Sequence, residues 1–234
     1  MDLPLLSFDS VFHIGTLDLA DKGTHGSSLE GHGLSFAASE ELVETWERIA
    51  KLGGQPTWRL DKPGARFVDA HRLSKAQRKE IKEWGVEEGY VELVTVWHAV
   101  RWDSEIEDET WSVHESKEDA ELELDEGGEI RRRRDLKGTA KLDQLIGQQA
   151  GLSCFDLLLV AYVEQTTELD GVYWDDLDDG WYSAPRGVIL PAKVAEWRTV
   201  KLRDPVMRPE LRSMEGAGPV SPASASPRVA SPEL

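Results

Sequence analysis

From Tyr90 to Trp102 the side chains alternate, with Val94, Val96, His98 and Val100 on one side and Leu93, Thr95, Trp97 and Ala99 on the other. A period of two sustained over such a run demands extended backbone, because only a strand sends successive side chains to opposite faces. The polar stretch Asp103 to Glu109 then turns the chain back into Thr110-Trp111-Ser112-Val113-His114. That is the pattern of a β-hairpin. A chain built around it must contain antiparallel sheet.

Helical signals stand on both sides of this hairpin. Ser39 can cap a helix whose first turn holds Glu40 and Glu41. Leu42, Val43, Trp46, Ile49 and Ala50 keep helical spacing, and Gly53-Gly54 closes the far end. The same logic predicts helices over Ser74 to Trp84, with Gly85 as the stop, over Ser116 to Leu124, and over Thr139 to Ala150. Ser10 to Thr16, Gly33 to Ala38, Phe155 to Val163, Val172 to Trp174 and Arg186 to Leu190 read as strands. Helices and strands are mixed without repeats, so the class is α+β, with the hairpin region of about 90–135 as an insertion. The body spans 1–203. From 204 to 234 the chain is rich in Pro, Ser and Ala and poor in apolar side chains, so a disordered tail is expected there.

Composition narrows the setting. Hydrophobic residues make up 40% of the chain, enough for a sizeable core. No apolar run approaches the roughly 18 residues that a membrane helix needs, and Met1-Asp2-Leu3-Pro4 lacks the form of a signal peptide. A soluble, cytoplasmic protein is expected. The single cysteine, Cys154, cannot form an intramolecular disulfide or a cysteine metal cluster, and its apolar surroundings predict an inert thiol. The net charge of −17 opposes binding to nucleic-acid duplexes and favours a basic protein partner. The concentrated basic run, Arg131 to Arg134, lies close to Glu121, Glu123, Asp125, Glu126 and Glu129, which predicts neutralisation within the molecule.

Two short segments carry chemistry. The first is Phe12-His13-Ile14-Gly15-Thr16, and the second is Gly31-His32-Gly33-Leu34-Ser35-Phe36-Ala37. Histidine and glycine at a strand end can hold a planar amide by backbone hydrogen bonds while the imidazole touches a sugar hydroxyl. A Gly-x-Gly turn opening into a strand can wall the same slot from the other side. The pair resembles the nicotinamide pocket of the ADP-ribosyltransferase superfamily, in the branch of the poly(ADP-ribose) polymerases and diphtheria-like toxins. The corresponding stretches there read roughly His-Gly-Thr and Gly-x-Gly-Ile-Tyr-Phe-Ala. Two departures stand out: Ile14 separates the histidine from the glycine, and Ser35 occupies the place of a stacking tyrosine.

The resemblance implies split mixed and antiparallel β-sheets, with flanking helices, around an NAD cleft. It implies NAD as substrate, bound by His13, Gly15, Thr16, Gly33, Ser35 and Phe36. It also implies a glycosyltransferase that passes ADP-ribose to a protein or nucleic-acid acceptor, or hydrolyses NAD, in the manner of a toxin or phage effector. Cleaving the nicotinamide bond builds positive charge on the ribose, so a fixed carboxylate is required. Asp176 is the first candidate and Asp175 the second, with Glu164, Glu168, Asp170, Asp178 and Asp179 behind them. His13 completes the expected catalytic set. The bland alternative for the aspartates is a solvated acidic turn, and the run Asp176 to Gly180 lacks the spacing of a calcium loop. Arg186 could bind NAD phosphates or bridge to Asp178 or Asp179, and the bridge is expected. Thr24 to Ser28 could form a loop over the bound nucleotide. The rival reading is a non-enzymatic acidic interaction protein that captures a basic partner.

Overall fold

A computed structural model describes residues 2–19, 29–30, 33–49, 54–104, 108–124, 128–145, 153–174 and 185–204. The expected tail, 204–234, lies outside the described residues except for Asp204, as do the expected loop Thr24 to Ser28, Gly31, Asp175 and Asp176. In chain order the elements are β1 (Leu5–Ile14), β2 (Leu29–Glu30), β3 (Gly33–Phe36), α1 (Glu40–Ile49), β4 (Thr57–Asp69) and α2 (Lys75–Glu87). Then follow β5 (Val91–Asp103), β6 (Asp108–His114), α3 (Lys117–Glu123), β7 (Glu129–Gly138), α4 (Ala140–Leu145) and α5 (Cys154–Thr166). The last are β8 (Gly171–Trp174), β9 (Arg186–Ile189), α6 (Pro191–Val194) and β10 (Arg198–Arg203).

The sheets are split as expected of an α+β fold. The larger one runs β1-β4-β8-β9-β3-β2, and β10 joins it on β4. All its pairs are antiparallel except β4 with β8. An isolated bridge between Phe12 and Ala37 brings β3 back to β1, so this sheet curls toward closure. Its concave face is filled by Val11, Leu34, Leu60, Phe67, Tyr173, Ile189 and Trp197, with Phe36 among them. The smaller sheet runs β6-β5-β7, so the expected hairpin is one side of a three-stranded unit.

β4 organises the larger sheet, although its sequence hides it. Lys62-Pro63-Gly64 reads as a turn, yet the chain passes through it as a bulge while β1 stays paired on both sides. Gly64 adopts a left-handed φ of 71°, and its N–H donates to Asp9 Oδ1 at 2.8 Å. Below the bulge β4 pairs with β10, and above it with β8. Lys62 donates to Asp170 Oδ1 at 2.5 Å and also to Glu196, while the Arg66 N–H donates to Asp170 Oδ2 at 2.8 Å. The bend is thereby tied to both later strands. Neither β4 nor β10 was expected from the sequence.

The segment Phe155 to Val163, expected as a strand, is the core of helix α5. Its residues are apolar on every side, so periodicity cannot tell a buried helix from a buried strand. The decisive signal is a capping box: Ser153 accepts from the Asp156 N–H, and the Asp156 side chain accepts from the Ser153 N–H. Buried Leu158, Leu159, Val160 and Val163 then pack with Val172 and Val188 of β8 and β9 and with Ile81 of α2. Gly85 does not stop α2, which runs on to Glu87. A Cβ there would lie 2.6 Å from a Leu158 methyl, so glycine lets the two helices touch. Among the described residues no helix is long and apolar enough to cross a membrane.

Candidate functional site

The curled sheet closes imperfectly where β1 meets β3. The Phe12 N–H donates to the Ala37 carbonyl at 2.9 Å, and the Ala37 N–H returns a bond of 2.8 Å to the Phe12 carbonyl. An antiparallel ladder alternates its direction along each strand, so Phe12 and Ile14 both turn their amide and carbonyl away from β4 and toward β3. The next rung would join Ile14 to Ser35, but the ladder has a single bridge. At that level the imidazole of His13 crosses the gap. Its Nδ1 lies 2.7 Å from the Ser35 carbonyl oxygen and its Nε2 lies 2.9 Å from the Thr16 carbonyl oxygen. One side chain holds the seam and the loop beyond β1 together.

His13 is almost wholly buried, with 1% exposure. Burial pushes its pKa below the ordinary 6.5, against a smaller upward pull from the Ser35 and Thr16 carbonyls. A neutral ring carries one N–H and can donate to only one of the two carbonyls. The second then faces a lone pair. His13 therefore donates to one of the two carbonyls, and both ring nitrogens face backbone rather than a ligand.

Gly15 and Thr16 are similarly committed. Gly15 takes a φ of 120°, its N–H donates to the Pro56 carbonyl at 2.9 Å, and its carbonyl accepts from Trp58 Nε1 at 2.9 Å. The backbone of Gly15, expected to hold the amide, is thus engaged within the protein. The groups directed at the seam belong to Ile14, the residue that interrupts the resemblance. Opposite Ile14 on β4 stands Thr57, whose buried hydroxyl has no hydrogen-bond partner. Thr16 Oγ1 accepts from the Asp18 N–H at 3.1 Å and tightens the turn.

The opposite wall also departs from expectation. A Cβ on Gly33 would overlap the Ile189 carbonyl and a Val188 methyl, so glycine is required by the approach of β9. Ser35 is half-buried, in register with Val188. Phe36 is 3% exposed, with its ring centroid 4.9 Å from Phe67 and 6.2 Å from Tyr173. It belongs to the aromatic core and offers no face to a ligand. Gly187, its β9 partner, leaves the space that the ring fills.

Among the carboxylate candidates, Asp175, Asp176, Asp178 and Asp179 lie outside the described residues. The chain enters that stretch from Trp174, the last residue of β8, and leaves it at Pro185 beside β9. Asp170 is spent on Lys62 and the Arg66 amide, which makes it a structural anchor. Glu168 is 92% exposed and bonds Lys193. Glu164 sits within α5. Arg186 opens β9 with its guanidinium 5.9 Å from the Trp174 ring centroid. It stands opposite Trp174 of β8, one residue before Gly187, the partner of Phe36.

The arginine run is not a patch, because strand alternation in β7 splits it between two faces. Arg131 is paired with Glu109 and Glu129, which agrees with internal neutralisation, and Arg132 lies over the Trp97 ring. Cys154, half-buried at the start of α5, has its thiol pKa pushed up by burial, in keeping with an inert thiol. The main-chain direction of Ile14 and the orphaned Thr57 hydroxyl carry no residue-type signal. Strand direction alone could have found them. No protein-family model, curated protein or solved structure matches this chain.

Proposed function

We propose that the chain is an NAD-consuming enzyme of the ADP-ribosyltransferase type, with the β1–β3 seam as its nicotinamide slot. The observation that carries this reading is the interrupted ladder. An Ile14 amide and carbonyl side by side, turned away from β4 and toward β3, are the complement of a planar carboxamide, which needs one acceptor and one donor. In this reading Ile14 takes the role expected of Gly15, and His13 is a positioning residue that sets the width of the slot. Asp176 and Asp175, following β8, supply the carboxylate that stabilises the ribose cation. The bond from nicotinamide nitrogen to ribose carbon breaks, neutral nicotinamide leaves, and a nucleophile of the acceptor, or water, adds to that carbon with loss of a proton. The acceptor is a protein or a nucleic acid.

The test is nicotinamide release from NAD, measured for the wild type, His13→Ala and Asp176→Ala, alongside NAD binding by calorimetry. Binding by the wild type, with release lost in Asp176→Ala while binding remains, is expected. Absence of both binding and release, with cell lysate present as a source of acceptors, would sink the reading. The rival, an acidic protein that captures a basic partner, predicts salt-sensitive capture untouched by either substitution.

A further inference from the structure

Strand alternation gives the smaller sheet two unlike faces. Glu123 of α3 bonds both Ser112, at 2.8 Å, and His114, at 2.6 Å, so the helix lies on the face that those β6 residues share. Trp111 and Val113 alternate with them and stand on the other face. In the β5–β6 ladder Val100 is opposite Trp111 and Trp102 is opposite Glu109. Trp102 and Trp111 are therefore a diagonal cross-strand pair on that second face. Trp102 is 66% exposed and Trp111 63%, and Val113 is exposed on the same face. Two indoles left in water on one sheet face offer stacking surface to a partner segment.

A cavity of about 360 Å³ opens beside Trp111, lined also by Val100, His98 and the ion pair of Arg131 with Glu109. Arg131 donates to both Glu109 oxygens, at 2.6 and 2.7 Å, and also bonds Glu129, so the charges there offset one another. Arg133 and Asp135, of opposite sign, line the cavity too. An aromatic surface with balanced charge suits an uncharged segment that stacks on rings, and polyproline II is that kind of ligand. It is preformed, with three residues per turn and a rise of ~3.1 Å, so prolines three apart share a side at about 9 Å. Diagonal cross-strand residues have Cβ atoms about 7–8 Å apart, so each indole can receive one ring. The chain carries this spacing in Pro219-Val220-Ser221-Pro222. Residues 205–234 hold three arginines and three glutamates as their only charged side chains, so the −17 belongs to residues 1–204 and does not oppose their approach. Fully extended, the linker 205–218 reaches roughly 50 Å from Asp204. That is about three times the ~17 Å radius of gyration of a body this size. Tethering keeps the segment near the indoles at an effective concentration on the order of millimolar.

We infer that Trp102 and Trp111 hold the chain's own Pro219–Pro222 stretch, docked in cis as a polyproline II turn on the face of the smaller sheet opposite α3. It is independent of the NAD reading and stands or falls separately. The test follows the indole N–H resonances of Trp102 and Trp111 in the full chain, with Pro219 and Pro222 both replaced by alanine in one variant. That variant leaves residues 1–204 untouched, so its folding is not in question. Both indole resonances should move in it, and the Val220 and Ser221 amides should move in Trp111→Ala. An acetylated peptide copying residues 216–225, titrated into the double proline variant, should return the indole resonances toward their wild-type positions. Its affinity should fall roughly tenfold or more when Trp111→Ala is added. Indole resonances identical in the wild type and the double proline variant overturn the inference. Equal binding of a peptide lacking both prolines does so too. Shifts that grow with protein concentration would place a second copy's tail on the indoles and overturn docking in cis.

Discussion

At the scale of single residues, the seam depends on side chains that serve backbone atoms. His13 titrates below its ordinary value, so the unfolded chain binds more protons than the folded one between the two pKa values. Stability must therefore fall as pH drops below about 6.5, by up to ~1.4 kcal/mol per pH unit until the folded-state pKa is reached. Urea midpoints from pH 7.5 to 5 should show this slope in the wild type, and His13→Gln should flatten it. An equal slope in both proteins would mean that other groups carry it. Gly187→Ala should cost about 1–3 kcal/mol, because the new methyl meets the Phe36 ring inside the aromatic core. Asp170→Asn keeps an acceptor for the Arg66 amide but loses the charge facing Lys62, so about 1–3 kcal/mol is expected from denaturant titration.

At the scale of elements, legibility followed the strength of local signals. β5, β6, α1, α2 and α3 were readable because alternation or a serine cap marked them. α5 was misread because its apolar residues lie on every side of the helix, and only the Ser153–Asp156 box distinguishes it. That box can be tested. Ser153→Ala should cost about 1 kcal/mol. Asp156→Ala should cost more, since Asp156 also accepts from Trp174 Nε1 at 3.0 Å. Equal losses in thermal melts would show that the tryptophan bond contributes nothing. β4 was invisible because Pro63-Gly64 signals a turn, and only the partner strand β1 converts it into a bulge. The same blindness affected the site. The sequence pointed to His13 and Gly15, yet the groups facing the gap belong to Ile14, whose side chain says nothing about its backbone direction.

At the scale of the whole molecule, a charge of −17 sets a repulsive background against which the cores must hold. Screening should relieve it, so the melting temperature should rise between low salt and about 0.15 M, where the Debye length falls to ~8 Å. A flat response in calorimetry would mean that ion pairs such as Lys62–Asp170 and Arg131–Glu109 offset the repulsion as they weaken. The strand order was beyond the sequence, because it depends on pairings between distant segments that no local pattern records. Among the described residues, β4 has the first strand on one side and the last on the other. Its lower half therefore keeps one edge bare until Arg203 has left the ribosome, however early β1 and β4 have joined. A nascent chain halted before Arg198 presents Thr57 to Asp61 as an unpaired edge. A strand made late in synthesis, β10, is thus the one that shields the early β1–β4 pair from its neighbours on a crowded polysome.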